Sequence, residues 1–230
     1  MATNVSEQCL NLLAEAGARQ VFGIPGDALN PFVRAVVQHP KTSWIGVQHE
    51  ENAAFAAYAQ AELSGELAVC AGSTGPGALH LINGLYNAAK ERAPVIAVTG
   101  QVAMHQLGSD YFQEIDLQKA FDEVCAFQAT IRSPDQAARV VKRAIHIALE
   151  KRAVCRIEIP AEIGAMDAGG QAFLPLALPQ PGMLTPHPAA IDAAVAALEK
   201  AESIAILAGV GCRGTADQVY RLSELLKAPI

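Results

Sequence analysis

Cationic side chains are scarce: 17 Lys and Arg stand against 23 Asp and Glu, with no basic cluster, for a net charge of −6. That excludes a nucleic-acid or anionic-membrane surface as the organising feature and leaves small-molecule chemistry as the default. The five cysteines, Cys9, Cys70, Cys125, Cys155 and Cys212, are odd in number and never form a C-x-x-C pair. Neither a disulfide framework nor a zinc site is therefore indicated, and a reducing cytoplasmic setting is expected. No set of His, Cys, Asp and Glu has metal-ligand spacing along the chain, so no metal ligand is assigned. Nor is there a Gly-Lys-Ser/Thr for a P-loop or a Gly-x-Ser-x-Gly elbow for a hydrolase nucleophile. The first residues, with Glu7 and Glu15 in an amphipathic pattern, carry no signal-peptide h-region. Residues 67–89 lack charge, but Ser73-Thr74-Gly75-Pro76-Gly77 interrupts them, which predicts strand, turn and helix rather than a membrane span.

What is present is apolar residues, 51% of the chain, in a regular alternation of strand and helix. Val5, Cys9, Leu12, Leu13 and Ala16 predict a helix over 4–16 that ends at Gly17. Strand Val21-Phe22 follows, then a helix capped by Asp27 and ending near His39-Pro40. Strand Ser43 to Val47, a helix to Ser64-Gly65, strand Leu67 to Ala71 and a helix from about Gly77 to Ala89 come next. Val95 to Thr99 is an uninterrupted apolar run, as in parallel strands buried on both faces. After a loop to Asp116 come a short helix, strand Ala126 to Ile131, a helix started by Ser133-Pro134-Asp135-Gln136 and running to Glu150, and strand Cys155 to Ile159. The expected fold is α/β, a doubly wound and mainly parallel sheet over 1–168. A proline- and glycine-rich linker is expected over 169–188. Helix Ala189 to Ala201, strand Ile204 to Leu207 and helix Thr215 to Lys227 then read as the start of a second Rossmann-like unit over 189–230, less than half an ordinary domain and so expected to be a fragment.

Three stretches could carry chemistry. In His49-Glu50-Glu51, adjacent carboxylates open an alanine-rich helix, where unpaired N–H groups and the macrodipole favour negative charge. That alone accounts for both; the other reading is that one of them faces a cofactor. Gly72 to Gly77 lies between a buried strand and a helix, where open α/β sheets bind ligands, although a tight turn needs glycine in any case. Gly209-Val210-Gly211-Cys212-Arg213-Gly214 matches the dinucleotide fingerprint, but the acidic residue expected about 20 positions on would fall at or past Ile230. His49 and His80 stand next to these turns, and each is more readily a hydrogen-bonded structural histidine than a catalyst.

Taken together and in order, Val21 to Asp27, Gln48 to Glu51, Gly65 to Cys70, Gly72 to Gly77, His80 to Tyr86, Pro94 to Gln101 and Gly108 to Glu114 resemble the N-terminal half of the thiamine-diphosphate-dependent pyruvate oxidase and acetolactate synthase family. The wording of His49-Glu50-Glu51 and His80 to Tyr86 looks closest to pyruvate oxidases and quinone-linked pyruvate dehydrogenases, since acetolactate synthases usually carry Glu-Gln at Glu50-Glu51. The resemblance implies a pyrimidine-binding domain in which Glu50 bonds the aminopyrimidine ring of thiamine diphosphate as acid/base partner and Glu51 keeps the helix-start role. It implies that Pro25, Gly26, Ser73, Thr74 and Gly75 line the pyrimidine end, that His80, Phe112 and Gln113 face a 2-oxo acid substrate, and that Gly209 and Gly211 belong to an FAD-type middle domain rather than a nicotinamide site. It also implies Mg²⁺ and diphosphate held by a C-terminal domain with a Gly-Asp-Gly motif, which this chain lacks. The active site would form between subunits of a homodimer or homotetramer, and the chain alone would be inactive.

Overall fold

The structure is a computed structural model that describes residues 3–169, 176, 178 and 185–230. It divides into two units, Met1–Pro181 and Gly182–Ile230. Most of the expected linker lies outside the described residues. Among them no helix is long and apolar enough to cross a membrane.

The first unit is a six-stranded sheet in which every pairing is parallel. Its strands are β1 (Gln20–Gly23), β2 (Ser43–Gly46), β3 (Ala68–Gly72), β4 (Val95–Gln101), β5 (Phe127–Thr130) and β6 (Val154–Pro160), in the order β2-β1-β3-β4-β6-β5. The helices are α1 (Val5–Glu15), α2 (Asn30–Gln38), α3 (Glu50–Ser64), α4 (Pro76–Leu79), α5 (Ile82–Lys90), α6 (Leu117–Ala120), α7 (Pro134–Lys151) and α8 (Ala161–Ala165).

Side chains along a strand alternate between faces, and the two faces bury separate cores. Val21, Val69, Ala71, Ile96, Val98, Ile157 and Ile159 pack under Leu12 and Leu13 of α1, Phe32 and Val36 of α2, and Val141 and Ile145 of α7. Phe22, Ala68, Cys70, Val95, Ala97 and Val154 pack under the alanines of α3, Leu85 and Ala88 of α5, and Leu117 of α6. Both faces being covered, the central strands read as continuous apolar runs. The alanine stripe of α3 permits a close crossing with α5: a Cβ on Gly84 would stand 2.6 Å from that of Ala54.

Several boundaries differ from expectation. The helix expected from Gly77 to Ala89 is broken at His80-Leu81, where the Leu81 N–H bonds the Ala78 carbonyl at i−3 and the α-helical ladder resumes only at Leu85. Residues 27–29 form a 3₁₀ turn ahead of α2, and Asp27 supplies no cap bond. Ser133 precedes α7 with extended backbone, but its hydroxyl makes no cap bond either.

The second unit holds α9 (Pro188–Glu199), a 3₁₀ turn at Val210–Cys212 and α10 (Ala216–Leu226). The strand expected at Ile204 to Leu207 is not formed. A strand exists through its neighbours, and here the Ile206 N–H reaches the Pro229 carbonyl at 2.8 Å with no paired strand among the described residues.

The cysteines divide by environment. Burial pushes the thiols of Cys9, Cys125 and Cys155 up to about 12 and that of Cys70 higher still. Because the thiolate is the nucleophile, iodoacetamide at neutral pH is expected to modify native chain at Cys212 alone, and the other four only after denaturation. Mass spectrometry of the alkylated peptides checks this; rapid labelling of Cys9 or Cys70 would contradict the packing of the core that holds it.

Candidate functional site: a carboxylate at the strand ends

The exit of β1 leads to α2 on one face of the sheet, while the exit of the adjacent β3 leads to α4 and α5 on the other. Loops that part in this way open a crevice at the carboxyl ends of the strands, the usual ligand position in open α/β sheets. The two loops touch at its floor. A Cβ on Gly26 would overlap the Ser73 side chain, and one on Gly72 would overlap the Gly77 carbonyl oxygen. Pro25 is exposed at the rim.

Glu50 enters this crevice as the first residue of α3. His49, with extended backbone, caps the helix by accepting the Glu51 N–H on Nδ1 at 3.3 Å. The Glu50 side chain turns inward to 8% residue exposure, and its Oε2 lies 2.9 Å from Nδ1 of His80. An ionised carboxylate only accepts, so the contact requires the proton on that imidazole nitrogen. Oε1 lies against Gly77, where a Cβ would come within 3.2 Å of it. Glu51 stays outside and accepts a bond from Nδ2 of Asn83 at 2.5 Å. The structure thus separates two sequence-adjacent carboxylates into one buried and one at the surface.

Thr74 is 4% exposed, and its hydroxyl oxygen is buried without a hydrogen-bond partner among the described residues. Such an orphan is costly unless a ligand or water completes it. Gly75 adopts φ +63° and ψ −118°, open to glycine, and a Cβ there would stand 2.6 Å from the Gln113 carbonyl oxygen. Gln113, itself at φ +67°, therefore lies across the turn, while Phe112 is 79% exposed. This loop is tied down from both ends. The Glu114 carboxylate accepts the N–H groups of Gly108 and Tyr111 at 2.6 and 3.1 Å, which hold its pKa below the usual carboxylate range. Gln101 donates to the Ile115 carbonyl at 3.1 Å, and Glu162 accepts the Met104 N–H at 2.6 Å.

Sequence reasoning missed a buried charge cluster that joins β4, β5 and β6. Arg156, 1% exposed in β6, donates to Glu158 at 2.6 Å, Thr99 at 3.0 Å and Gln128 at 3.1 Å, with its guanidinium over the Phe121 ring. Thr130 completes Glu158 at 2.7 Å. Two charges at alternate positions of an otherwise apolar strand, Cys155-Arg156-Ile157-Glu158-Ile159, were the available signal.

Folding also assembles what spacing did not show: His49, Glu50 and His80 bring one donor atom each within 4.8 Å of the others, a set that could hold a metal ion. The glycine turn Gly209 to Gly214 lies in the second unit, where Gly209, Val210, Arg213 and Tyr220 line a cavity of about 730 Å³.

Residues 3–121 match the family described as thiamine pyrophosphate enzyme, N-terminal TPP binding domain. An uncharacterised 42.6 kDa protein of Pseudomonas amyloderamosa is 38% identical over 230 residues, covering 99% of this chain and 58% of that protein. Pyruvate oxidase of Lactiplantibacillus plantarum is 31% identical over 96% of this chain and 37% of its own length, and an acetolactate synthase of Mycobacterium bovis matches at the same 31% over 98% of this chain and 37% of its own length. The chain thus spans little more than half of these relatives at most. A thiamine diphosphate-dependent 4-hydroxybenzoylformate decarboxylase of Rhodococcus jostii RHA1 shares the fold, with a TM-score of 0.85 at 22% identity over 99% of this chain and 44% of that one.

Proposed function

Since the chain belongs to the thiamine pyrophosphate enzyme family through its N-terminal TPP binding domain, we propose that it supplies the pyrimidine-facing half of the active site of a pyruvate-oxidase-like enzyme acting on pyruvate or a similar 2-oxo acid. The observation that carries the reading is Glu50, a carboxylate buried at the switch-point crevice with Oε1 directed at a glycine-lined cradle and Oε2 held by His80. The residues present fit the heterocyclic end of the cofactor. Gly26 and Gly72 let the two turns close on one another, Gly77 lets Oε1 of Glu50 approach the backbone, and the orphaned Thr74 hydroxyl awaits a partner.

When bound, thiamine diphosphate supplies the electron sink for decarboxylation of the 2-oxo acid. Glu50 holds and returns a proton at its Oε1, and His80 fixes the carboxylate's orientation and stands where a substrate carboxylate would pass. Gln113, across Gly75, and the exposed Phe112 of the same loop are the substrate-facing groups. Glu51 remains a helix-start charge. Mg²⁺ and the diphosphate are assigned to another domain of the complete enzyme. Gly209 and Gly211 are assigned to the FAD side of the middle domain, and the working enzyme to a homodimer or homotetramer.

The carboligase reading has a specific support in the acetolactate synthase match, which equals that of the oxidase in identity. Two measurements separate these readings. Titration of this chain with thiamine diphosphate and Mg²⁺ is expected to show no tight binding, and micromolar affinity would sink the half-site assignment. The chain joined to its family's diphosphate-binding domain is expected to release CO₂ and acetate from pyruvate with an artificial electron acceptor. Acetolactate as product would give the carboligase reading, and no consumption of any 2-oxo acid would overturn both.

A further inference from the structure

We propose that His49, Glu50 and His80 also form a three-ligand site for a borderline divalent transition-metal ion, of which Zn²⁺ is the type. The residues come from two separate segments, the N-terminal end of α3 and the break between α4 and α5, and converge at the crevice mouth. The rings of His49 and His80 stack with centroids 4.4 Å apart and an interplanar angle of 27°, so both imidazoles approach from one side.

The donors lie within 4.8 Å of one another. Zinc bonds of 2.0–2.2 Å in a tetrahedral site place donors about 3.4 Å apart, so the widest edge must close by roughly 1.4 Å. The histidines can supply that movement, because their side chains are 47% and 45% exposed, whereas Glu50 at 11% is the fixed anchor. An exposed pair and a buried anchor leave a face open for water, as in three-ligand zinc sites with a free position.

Two imidazoles and a carboxylate suit Zn²⁺, Co²⁺, Ni²⁺ or Cu²⁺ and are poor ligands for Mg²⁺ or Ca²⁺, which take oxygen. Glu51, 3.9 Å from Nδ1 of His49, adds a second negative charge at the rim and is itself held by Asn83. The α3 N-terminus opposes a cation with roughly half a positive charge, which the two carboxylates outweigh. On binding, the ion takes the place of the proton between His80 and Glu50: Nδ1 gives that proton up while Nε2 takes one from solvent, so the ring coordinates as neutral imidazole.

One consequence rests on the functional reading above: an ion at this site removes the carboxylate that the cofactor needs and so inhibits. The site itself does not depend on that reading, and its test involves no turnover.

Calorimetric titration of the chain with Zn²⁺ in a non-chelating buffer is expected to show one equivalent, and Co²⁺ to give the intense visible bands of a four-coordinate ion. His49→Asn keeps a helix-capping residue; it and His80→Asn should each weaken binding at least about tenfold, the loss that removal of a mere outer partner already causes. His146→Asn, on α7, should change nothing. X-ray absorption of the Zn²⁺-loaded wild-type chain should count two imidazoles, whatever the folding of any variant. Unchanged affinity in folded His49→Asn/His80→Asn, fewer than two imidazoles, or equal competition by Mg²⁺ would each overturn the site.

Discussion

Glu50→Gln, in an enzyme completed by the diphosphate-binding domain, is expected to lower kcat by roughly 10²–10⁴, the range for a positioned acid/base group, with a far smaller change for Glu51→Gln. The substitution is nearly isosteric, so the crevice keeps its shape and the amide can still contact His80. What it removes is the ability to give and take a proton at Oε1, the oxygen that faces the Gly77 cradle. If Glu50 were only a favourable charge at the start of α3, its loss would cost about 0.3–1 kcal/mol of stability and leave kcat alone. Glu51 occupies the same helical turn but is bonded at the surface to Asn83, so it is the internal control for the dipole effect. Steady-state kcat and KM of both variants, with thermal melts of each, separate the two roles. Equal losses of kcat at both positions would refute the division, and a stability loss without a kinetic one would leave Glu50 a helix-start charge.

The physical reasons for what sequence reasoning saw are local. Val95 to Thr99 announced a parallel strand because a sheet covered on both faces leaves no place for polar alternation, and it lies at the centre of the observed sheet. Gly17 and Gly65 ended their helices with φ of +106° and +77°, conformations that glycine adopts freely. The missed features were tertiary. Nothing in the amphipathic pattern of 77–89 marks the point at which the ladder tightens at Leu81, and that break is what presents His80 to Glu50. The apolar run Ile204 to Leu207 carries strand propensity, but propensity is only a fit to a neighbouring strand, and among the described residues it has none. Adjacent Glu50 and Glu51 look alike in sequence, and their different burial follows from the helical turn that points one at Gly77 and the other at Asn83.

Arg156→Met should destabilise the first unit by about 3–5 kcal/mol, the cost of breaking a buried ion pair by removing one partner. The loss is large because Glu158, 5% exposed, would keep its charge in a site where, among the described residues, Thr130 is the side-chain donor that remains to it. Thr99 and Gln128 would lose their donor at the same time, and the Phe121 ring its cation. Urea unfolding of the variant, followed by far-ultraviolet circular dichroism, measures the loss against a typical domain stability of about 5–15 kcal/mol. Neutralising the orphan, Arg156→Met with Glu158→Gln, should recover part of it, since uncharged pairs in such sites are often tolerated. Recovery should remain incomplete, because the hydroxyl of Thr99 and the amide of Gln128 stay without the guanidinium. A double-mutant cycle gives the coupling directly. A coupling below about 0.5 kcal/mol, the additivity limit for independent sites, would mean that the guanidinium and the carboxylate do not hold one another.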